Sequence, residues 1–367
     1  MRVQNTSSTF TTAAGETAAA PGTRESTTDP VQGYSPAGQL LHLMMGYWVS
    51  QAIHAMAQLG VADHLRRTPQ TIDTLAARVG AHSDSLYRVL RALASIGVVA
   101  EPLPRQFALT AMSALLRTDA PGNLCDFAKM QGDGWHWDSW REIVASVRGG
   151  RPGVELAHGA AHCFALLAQH PASAATFNAA MGGFAANAHA AVVDAYDFSA
   201  FRRIVDIGGG QGMLIAALLP VANNADATLF DQPDVIDSAR PLWTTHPLAA
   251  RTTLVAGDFF LAVPAAADCY LLASILHDWN DVDATRILAR IAQAMAPDGR
   301  VIVIEMIVPT NDDDHPSKWV DLEMMLITGG RERTEAEYQT LFLAAGLTIT
   351  RVTATAATVS IIEARRC

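Results

Sequence analysis

The 367-residue chain has few cysteines, no long apolar run and a deficit of positive charge. Its four cysteines, Cys125, Cys163, Cys269 and Cys367, are scattered and form no C-x-x-C pair, which argues against both a zinc knuckle and a disulfide framework. They read as free thiols. No apolar stretch approaches bilayer-spanning length, and the N-terminus lacks the basic start and apolar core of a secretory signal. The expected compartment is therefore the cytoplasm, with no membrane partner. A formal net charge of -10 sets most of the surface against nucleic-acid phosphates. What is plentiful is apolar side chain: at 50% hydrophobic residues a chain of this length can bury two cores, so two folded domains are expected.

Residues 1 to about 33 are rich in Thr, Ser, Ala, Gly and Pro with almost nothing to bury, and read as a disordered tail. From residue 39 to about 60, Leu40, Leu41, Met44, Met45, Trp48 and Ile53 recur at helical spacing but cover more than one narrow stripe. Such a helix requires a partner. Residues 71–80 read as a short helix closed by glycine, and Ser83 is placed to cap a second one carrying Leu86, Val89, Leu90, Leu93 and Ile96. Residues 98–101 and 106–110, joined by a proline-containing turn, complete a wing. A winged helix-turn-helix often binds DNA, yet its second helix offers only Arg88 and Arg91, so packing or dimerisation is the expected use. Residues 113–200 look helical, and aromatics such as Phe127, Trp135, Trp140 and Phe164 read first as core. From Arg203 onward, apolar runs alternate with helical segments, the pattern of a mostly parallel sheet covered on both faces. Strands are expected near 203–207, 227–230, 252–256, 268–273 and 300–306, with a closing pair near 347–352 and 358–364. The resulting division is a tail over 1–33, a winged-helix domain over 34–120, a helical connector over 121–200 and an α/β domain over 201–367.

The first of these strands runs into Asp206-Ile207-Gly208-Gly209-Gly210-Gln211-Gly212, with a helix starting at Met213. Glycines there let the backbone approach a nucleotide-like ligand at a helix N-terminus. A pyrophosphate turn normally follows G-x-G-x-x-G, but here the third glycine falls on Met213, and Asp206 opposes phosphate. A ligand with an amino group and a sulfonium suits the same carboxylate, which points to S-adenosylmethionine. Asp231 closes the second strand where an acid accepts from ribose hydroxyls, and Gly257-Asp258-Phe259-Phe260 follows the third, with Asp258 for an adenine amino group and Phe259 to stack. Singly these are weak; together they mark one sheet edge. The fourth strand leads to Leu276-His277-Asp278-Trp279, which places at that edge a histidine able to take a proton from an attacking hydroxyl. Glu305, ending the fifth strand, is out of place unless it faces a site, and Glu332 precedes a helix that Thr334 and Glu337 would cap as a box. Either carboxylate could orient the imidazole and stabilise its charged form. The bland alternatives are a helix-capping His277 and a surface Glu332.

The segments 205–212, 231–233, 257–260, 276–279 and 329–334 together resemble the plant-type small-molecule O-methyltransferases, a group that includes caffeic acid and isoflavone enzymes and bacterial relatives acting on antibiotics and other secondary metabolites. The resemblance covers the chain from about residue 38 to the end. It implies a helical, winged-helix domain that builds an intertwined homodimer, then a class I methyltransferase domain of Rossmann-like α/β fold with an antiparallel closing strand. It implies His277 as general base flanked by Glu305 and Glu332, and no metal. For the cofactor it implies Asp206, Gly208, Gly210, Gly212, Asp231, Gln232, Asp258, Phe259, Phe260 and Ser274. For the acceptor pocket it implies Met130, Trp137, Phe177, Met181, Asp278, Met324 and Ile327. Ala273 stands where plant members carry a lysine, and Ser173 where an aromatic is expected, which argues against a plant phenylpropanoid acceptor.

The expected reaction is transfer of the sulfonium methyl to a hydroxyl of a small aromatic molecule, releasing S-adenosylhomocysteine. Rivals are transfer to nitrogen or a carboxylate on the same scaffold, a metabolite-sensing winged-helix regulator and, more distantly, a nicotinamide-dependent oxidoreductase.

Overall fold

The computed structural model describes residues 34–66 and 68–367; the tail read over 1–33 lies outside them. The described residues divide into one unit ending at Gly46 and a second, Tyr47–Cys367. In the first, the helix Pro36–Met44 starts at Ser35, whose hydroxyl accepts from the Gly38 N–H at 3.2 Å. Its Leu40, Leu41, Leu43 and Met44 are all more than half exposed. The single helix expected from residue 39 to about 60 is in fact two, Pro36–Met44 and Gly46–Gln58. The break falls at Met45, just before Gly46, and glycine is the weakest helix former after proline.

In the second unit, the helices Ile72–Val79 and Ser83–Ser95 pack on a small antiparallel sheet of β1 (Gln70–Thr71), β2 (Val99–Leu103) and β3 (Gln106–Leu109), in the order β1-β3-β2. Ile72, Leu75, Leu90 and Phe107 are fully buried between them, each contributing about 1.5–3 kcal/mol. Gly80 closes the first helix at φ 66°, as its position suggests. The cap of the second is His82, not Ser83: the His82 ring accepts from the Ser85 N–H at 3.4 Å. The Ser83 hydroxyl is instead drawn across the turn to Asp73. Strand β1, two residues long, is too short to leave a periodicity in the sequence.

The main sheet has seven strands, β4 (Arg203–Ile207), β5 (Asp226–Asp231), β6 (Thr252–Ala256), β7 (Cys269–Ala273), β8 (Arg300–Glu305), β9 (Leu347–Ala354) and β10 (Ser360–Arg366), in the order β6-β5-β4-β7-β8-β10-β9. The first five are parallel; β10 runs antiparallel between β8 and β9. This is the Rossmann-like α/β class expected, with strands where the apolar runs lie. Alternation along β4 sends Ile204 into one core, with Ile215 and Ile236, and Val205 and Ile207 into another, with Ile287 and Phe342. All five parallel strands therefore end at one edge, the usual ligand edge of such sheets. A further apolar cluster, containing Met130, Trp135, Cys163 and Ile327, gathers the helices of residues 125–195 and the helix Pro316–Ile327. No helix among the described residues is long and apolar enough to cross a membrane.

Candidate active site

At the edge of β4 the chain turns through Gly208, Gly210 and Gly212 at φ 66°, 58° and 82°, a region that favours glycine, before the helix Met213–Leu218. A Cβ on Gly208 would stand 2.5 Å from Ile275, one on Gly209 2.5 Å from Asp206, and one on Gly212 2.8 Å from Trp243. The protein itself fills the space behind those three. Gly210 alone has open space where a side chain would be, so the loop presents one bare backbone face. Its N–H donates to Asp231 at 2.8 Å, and the other Asp231 oxygen accepts from the Gln232 N–H at 2.7 Å. The Phe259 ring comes to the rim of Gly208, while Phe260 turns away onto Trp279, with ring centroids 4.7 Å apart. Asp258 is exposed and accepts from the Phe260 N–H at 2.8 Å. Ser274 leaves β7 at φ 55°, redirecting the chain toward His277.

Beneath the loop, Asp206 is 1% exposed and neither carboxyl oxygen has a hydrogen-bond partner. Burial, reinforced by the nearby Asp231, pushes it up to about 8. Asp231 is raised as well, chiefly by burial and against the two N–H groups it holds. An unpartnered Asp206 and the half-buried Asp231 under a bare glycine turn disfavour a pyrophosphate and suit a cation, whose approach would favour the ionised form of Asp206. The Asp206 shift carries a sign for stability. Above its ordinary range and up to about 8 the folded chain holds a proton that the unfolded chain has lost, so stability falls as pH rises through that window. Asp206→Asn is expected to raise the melting midpoint by about 2–5 °C at pH 8 and to leave it nearly unchanged at pH 4; thermal melts at the two values would check this.

His277 lies in a short 3-10 turn, Leu276–Asp278, after β7. Its Nδ1 is 2.7 Å from Glu332 Oε1, its Nε2 is 3.8 Å from Asp278 Oδ1, and its side chain is 14% exposed. Burial alone would lower its proton affinity, but Asp278, Glu332 and Glu305 outweigh burial and push it up to about 10. Asp278 itself is raised to about 7, by burial first. Glu305 does not touch the ring. One of its oxygens accepts from the N–H groups of Ile275 and His277, at 3.1 and 3.2 Å, and from that of Leu276; the other takes the Tyr338 hydroxyl. Glu305 thus holds the turn, and Glu332 holds the imidazole.

Three residues that the sequence did not single out complete this frame. Fully buried Arg333 donates to the carbonyls of Leu276 and Trp279, at 2.9 and 2.8 Å, and to Asp281 at 2.9 Å. Tyr338 anchors Glu305, and Asp321 accepts from the Glu332 N–H at 2.8 Å. Thr334 and Glu337 do form the capping box.

Of the acceptor-pocket candidates, Met130, Phe177, Met181 and Ile327 share the apolar cluster of the helical region. Met324 is buried one turn before Thr328. Trp137 is outside that cluster, its ring 6.3 Å from Tyr47. The cluster reaches Trp279, two residues after His277, through Phe164, which meets Phe177 on one side and stacks on Trp279 at 6.3 Å on the other. Asp278 borders it, since its charge acts on the buried Cys163 thiol.

Residues 140–348 match the model of the O-methyltransferase domain, and residues 41–119 that of the O-methyltransferase dimerisation domain. The chain is 40% identical over 326 residues to the phenazine O-methyltransferase PhzM of Lysobacter antibioticus, covering 89% of this chain and 95% of that one. It is 39% identical over 330 residues to the mitomycin biosynthesis 6-O-methyltransferase of Streptomyces lavendulae, covering 88% and 93%. Among solved structures, LaPhzM superposes with a TM-score of 0.88 at 39% identity, over 91% of this chain and all of that one. A neocarzinostatin O-methyltransferase, solved with S-adenosylmethionine and 2-hydroxy-5-methyl naphthoic acid, gives 0.74 at 30% identity over 87% and 96%. A family model that spans more than half of the chain, with relatives this similar along their whole length, leaves one assignment: the chain belongs to the O-methyltransferase family, enzymes that use S-adenosylmethionine.

Proposed function

We propose that the chain methylates a hydroxyl group of a small aromatic secondary metabolite, with His277 as the general base. The observation that carries this is the Glu332–His277 pair at 2.7 Å. The Glu332 carboxylate accepts from Nδ1, so when the imidazole gives up its second proton at alkaline pH it is Nε2, without a hydrogen bond at 3.8 Å from Asp278, that is left with the lone pair. Nε2 is then free to take the acceptor's hydroxyl proton, and the neighbouring carboxylates stabilise the imidazolium that results.

The glycine turn, with Asp206 and Asp231, fits S-adenosylmethionine. In this reading Asp206 and Asp231 hold its positive and hydroxyl-bearing parts, Asp258 and Phe259 the adenine, and Gly208, Gly210, Gly212, Gln232 and Ser274 shape the cradle. When bound, this group supplies an electrophilic methyl carbon. The apolar cluster around Met130, Phe177, Met181 and Ile327 supports a flat aromatic acceptor and excludes water from the oxygen that reacts. The exposed Leu40, Leu41, Leu43 and Met44 support a homodimer formed through the N-terminal region; sedimentation should give twice the chain mass.

Incubation with methyl donor and a panel of hydroxylated aromatics and nitrogen heterocycles, read by mass spectrometry, tests the reading. Methyl ethers are expected; products methylated only on nitrogen would overturn it. A pH profile gives a second test. Because the surrounding carboxylates push His277 up to about 10, the rising limb of kcat/KM in the free enzyme should lie on the alkaline side of neutrality. Glu332→Gln removes one of those charges, so its limb should move toward lower pH while the plateau drops by about tenfold or more through loss of the fixed tautomer. A limb that stays in place would separate the proton from this pair.

A further inference from the structure

The described residues hold a second imidazole–carboxylate pair apart from His277. His136, on the helix Gly134–Arg141, is 2% exposed and brings Nε2 to 2.7 Å from Glu323 Oε1. Trp140, one turn on, donates its Nε1–H to the other Glu323 oxygen at 2.5 Å. Glu323 interrupts the apolar run of residues 322–327 and, four residues before Ile327, shares that residue's helix face. For stability alone, apolar side chains of the same volume would serve as well or better, because both groups must be desolvated.

The surroundings point to a ligand. Nδ1 of His136 is buried without a hydrogen-bond partner, which a folded interior rarely leaves so. The same imidazole borders a cavity of about 280 Å³ walled by the rings of Tyr47, Trp137 and Trp140, with Ser50 and Gln131 between them. Trp137, which does not join the apolar cluster, faces this cavity. The cavity and the reacting end are linked through the cluster. Trp140 both lines the cavity and packs against the cluster that holds Met130, Phe177 and Ile327.

We propose that the His136–Glu323 pair is a second, specificity-determining anchor of the acceptor site. It receives the end of the acceptor remote from the methylated hydroxyl and selects aromatic molecules bearing a hydrogen-bond donor there, a hydroxyl or an amino group, over those bearing a carboxylate. This rests on the O-methylation reading above. Glu323 accepts the Nε2–H, so Nδ1 offers a lone pair to an O–H or N–H. A carboxylate brings no proton to Nδ1 and meets the Glu323 carboxylate on the far side of the imidazole. The cation lining the cavity, Arg141, is 3.0 Å from Asp138 with its side chain 70% exposed, so water and salt screen it. Ring-shaped walls and this volume suit one ring of a fused acceptor.

The test uses the full-length enzyme and acceptors that differ only in the distal substituent: hydroxyl or amino, hydrogen, and carboxylate. In the wild type, KM for the donor-bearing compound should be about tenfold below that of the unsubstituted one and about 100-fold below that of the carboxylate, with kcat changing much less. Glu323→Gln and His136→Phe should each compress this range to about threefold, and Glu323→Gln should lower KM for the carboxylate. Affinity for S-adenosylhomocysteine reports folding of the variants, and Glu323→Gln decides alone if His136→Phe does not fold. Equal KM values in the wild type, or a range that both variants preserve, would overturn the anchor while leaving O-methylation intact. Failure to methylate any of the compounds would remove the underlying reading and the anchor with it.

Discussion

Replacing His277 by alanine is expected to lower kcat by about 10²- to 10⁴-fold, the usual share of a positioned base, with S-adenosylhomocysteine affinity changed less than threefold. The two readouts separate because His277 makes no contact with the glycine turn that would hold the cofactor: its ring is spent on Glu332 through Nδ1 and faces Asp278 through Nε2. A neutral phenol is a poor nucleophile, and deprotonation is the part of the reaction that orientation cannot supply. What survives in the variant should be the contribution of proximity in a dry site. The dependence should also change shape. In the wild type the imidazole is charged until alkaline pH, because three carboxylates outweigh its burial; the alanine variant should instead follow ionisation of the acceptor, rising with pH until the phenol itself is ionised. Acceptors of lower phenolic pKa should therefore lose least. Near-normal turnover on the wild type's alkaline plateau, with an acceptor that stays un-ionised there, would show that the proton leaves by another route and would withdraw the assignment.

Where the sequence was sufficient, the cause was local. Strands β4, β5, β7 and β8 are short apolar runs bounded by turns, and their ends carry Asp206, Asp231, His277 and Glu305, residues whose types are informative wherever a parallel sheet places them. The sequence could bring Glu305 and Glu332 to His277 but not divide their tasks, because that depends on which groups a turn exposes. The turn presents the N–H groups of Leu276 and His277 to Glu305 at the end of β8, the Leu276 carbonyl to Arg333 and the His277 carbonyl to the Arg331 N–H. In one dimension Arg333 looks like a surface charge beside Arg331; only the fold surrounds it with carbonyls and leaves Arg331 near half exposed. Glu323 did leave a signal. A carboxylate inside the run 322–327 is as anomalous as Glu305 at the end of β8, but its partner His136 lies 187 residues away and has no motif to announce it. The break at Met45 and the two-residue β1 escaped for the opposite reason, being too slight to alter a periodicity.

The segment that joins these parts is the turn after the helix Pro316–Ile327, and Gly330→Ala should disable it with the loss of very little chemistry. A Cβ at Gly330 would collide with the carbonyl of His277 and with the backbone of Asp278. Both obstacles are backbone, held from behind by Glu305 and Arg333, so no side chain can rotate aside. The Arg331 N–H also donates to the His277 carbonyl at 2.8 Å, and that bond requires the same close approach. Either the 276–278 turn or the 330–332 segment must move. Movement in either stretches the Glu332–His277 bond, and a shift of about 1 Å at a reacting group costs on the order of 10²-fold in rate. Overpacking of this kind also costs about 1–3 kcal/mol in stability. The expected outcome is a folded protein with a lowered melting midpoint and kcat down by about 10²-fold or more, while S-adenosylhomocysteine affinity, which the proposed reading assigns to the Gly210 face of the other loop, stays within about threefold. Gly210→Ala should reverse the pattern. Its Cβ meets no protein atom within 4 Å, so the fold bears only the strain of φ 58°, but the methyl group would occupy the face left bare for the cofactor. Affinity falling more steeply than stability in Gly210→Ala, and rate falling more steeply than affinity in Gly330→Ala, would assign one glycine turn to the methyl donor and the other to the base; equal losses of everything in both would mean that the turns serve only the fold.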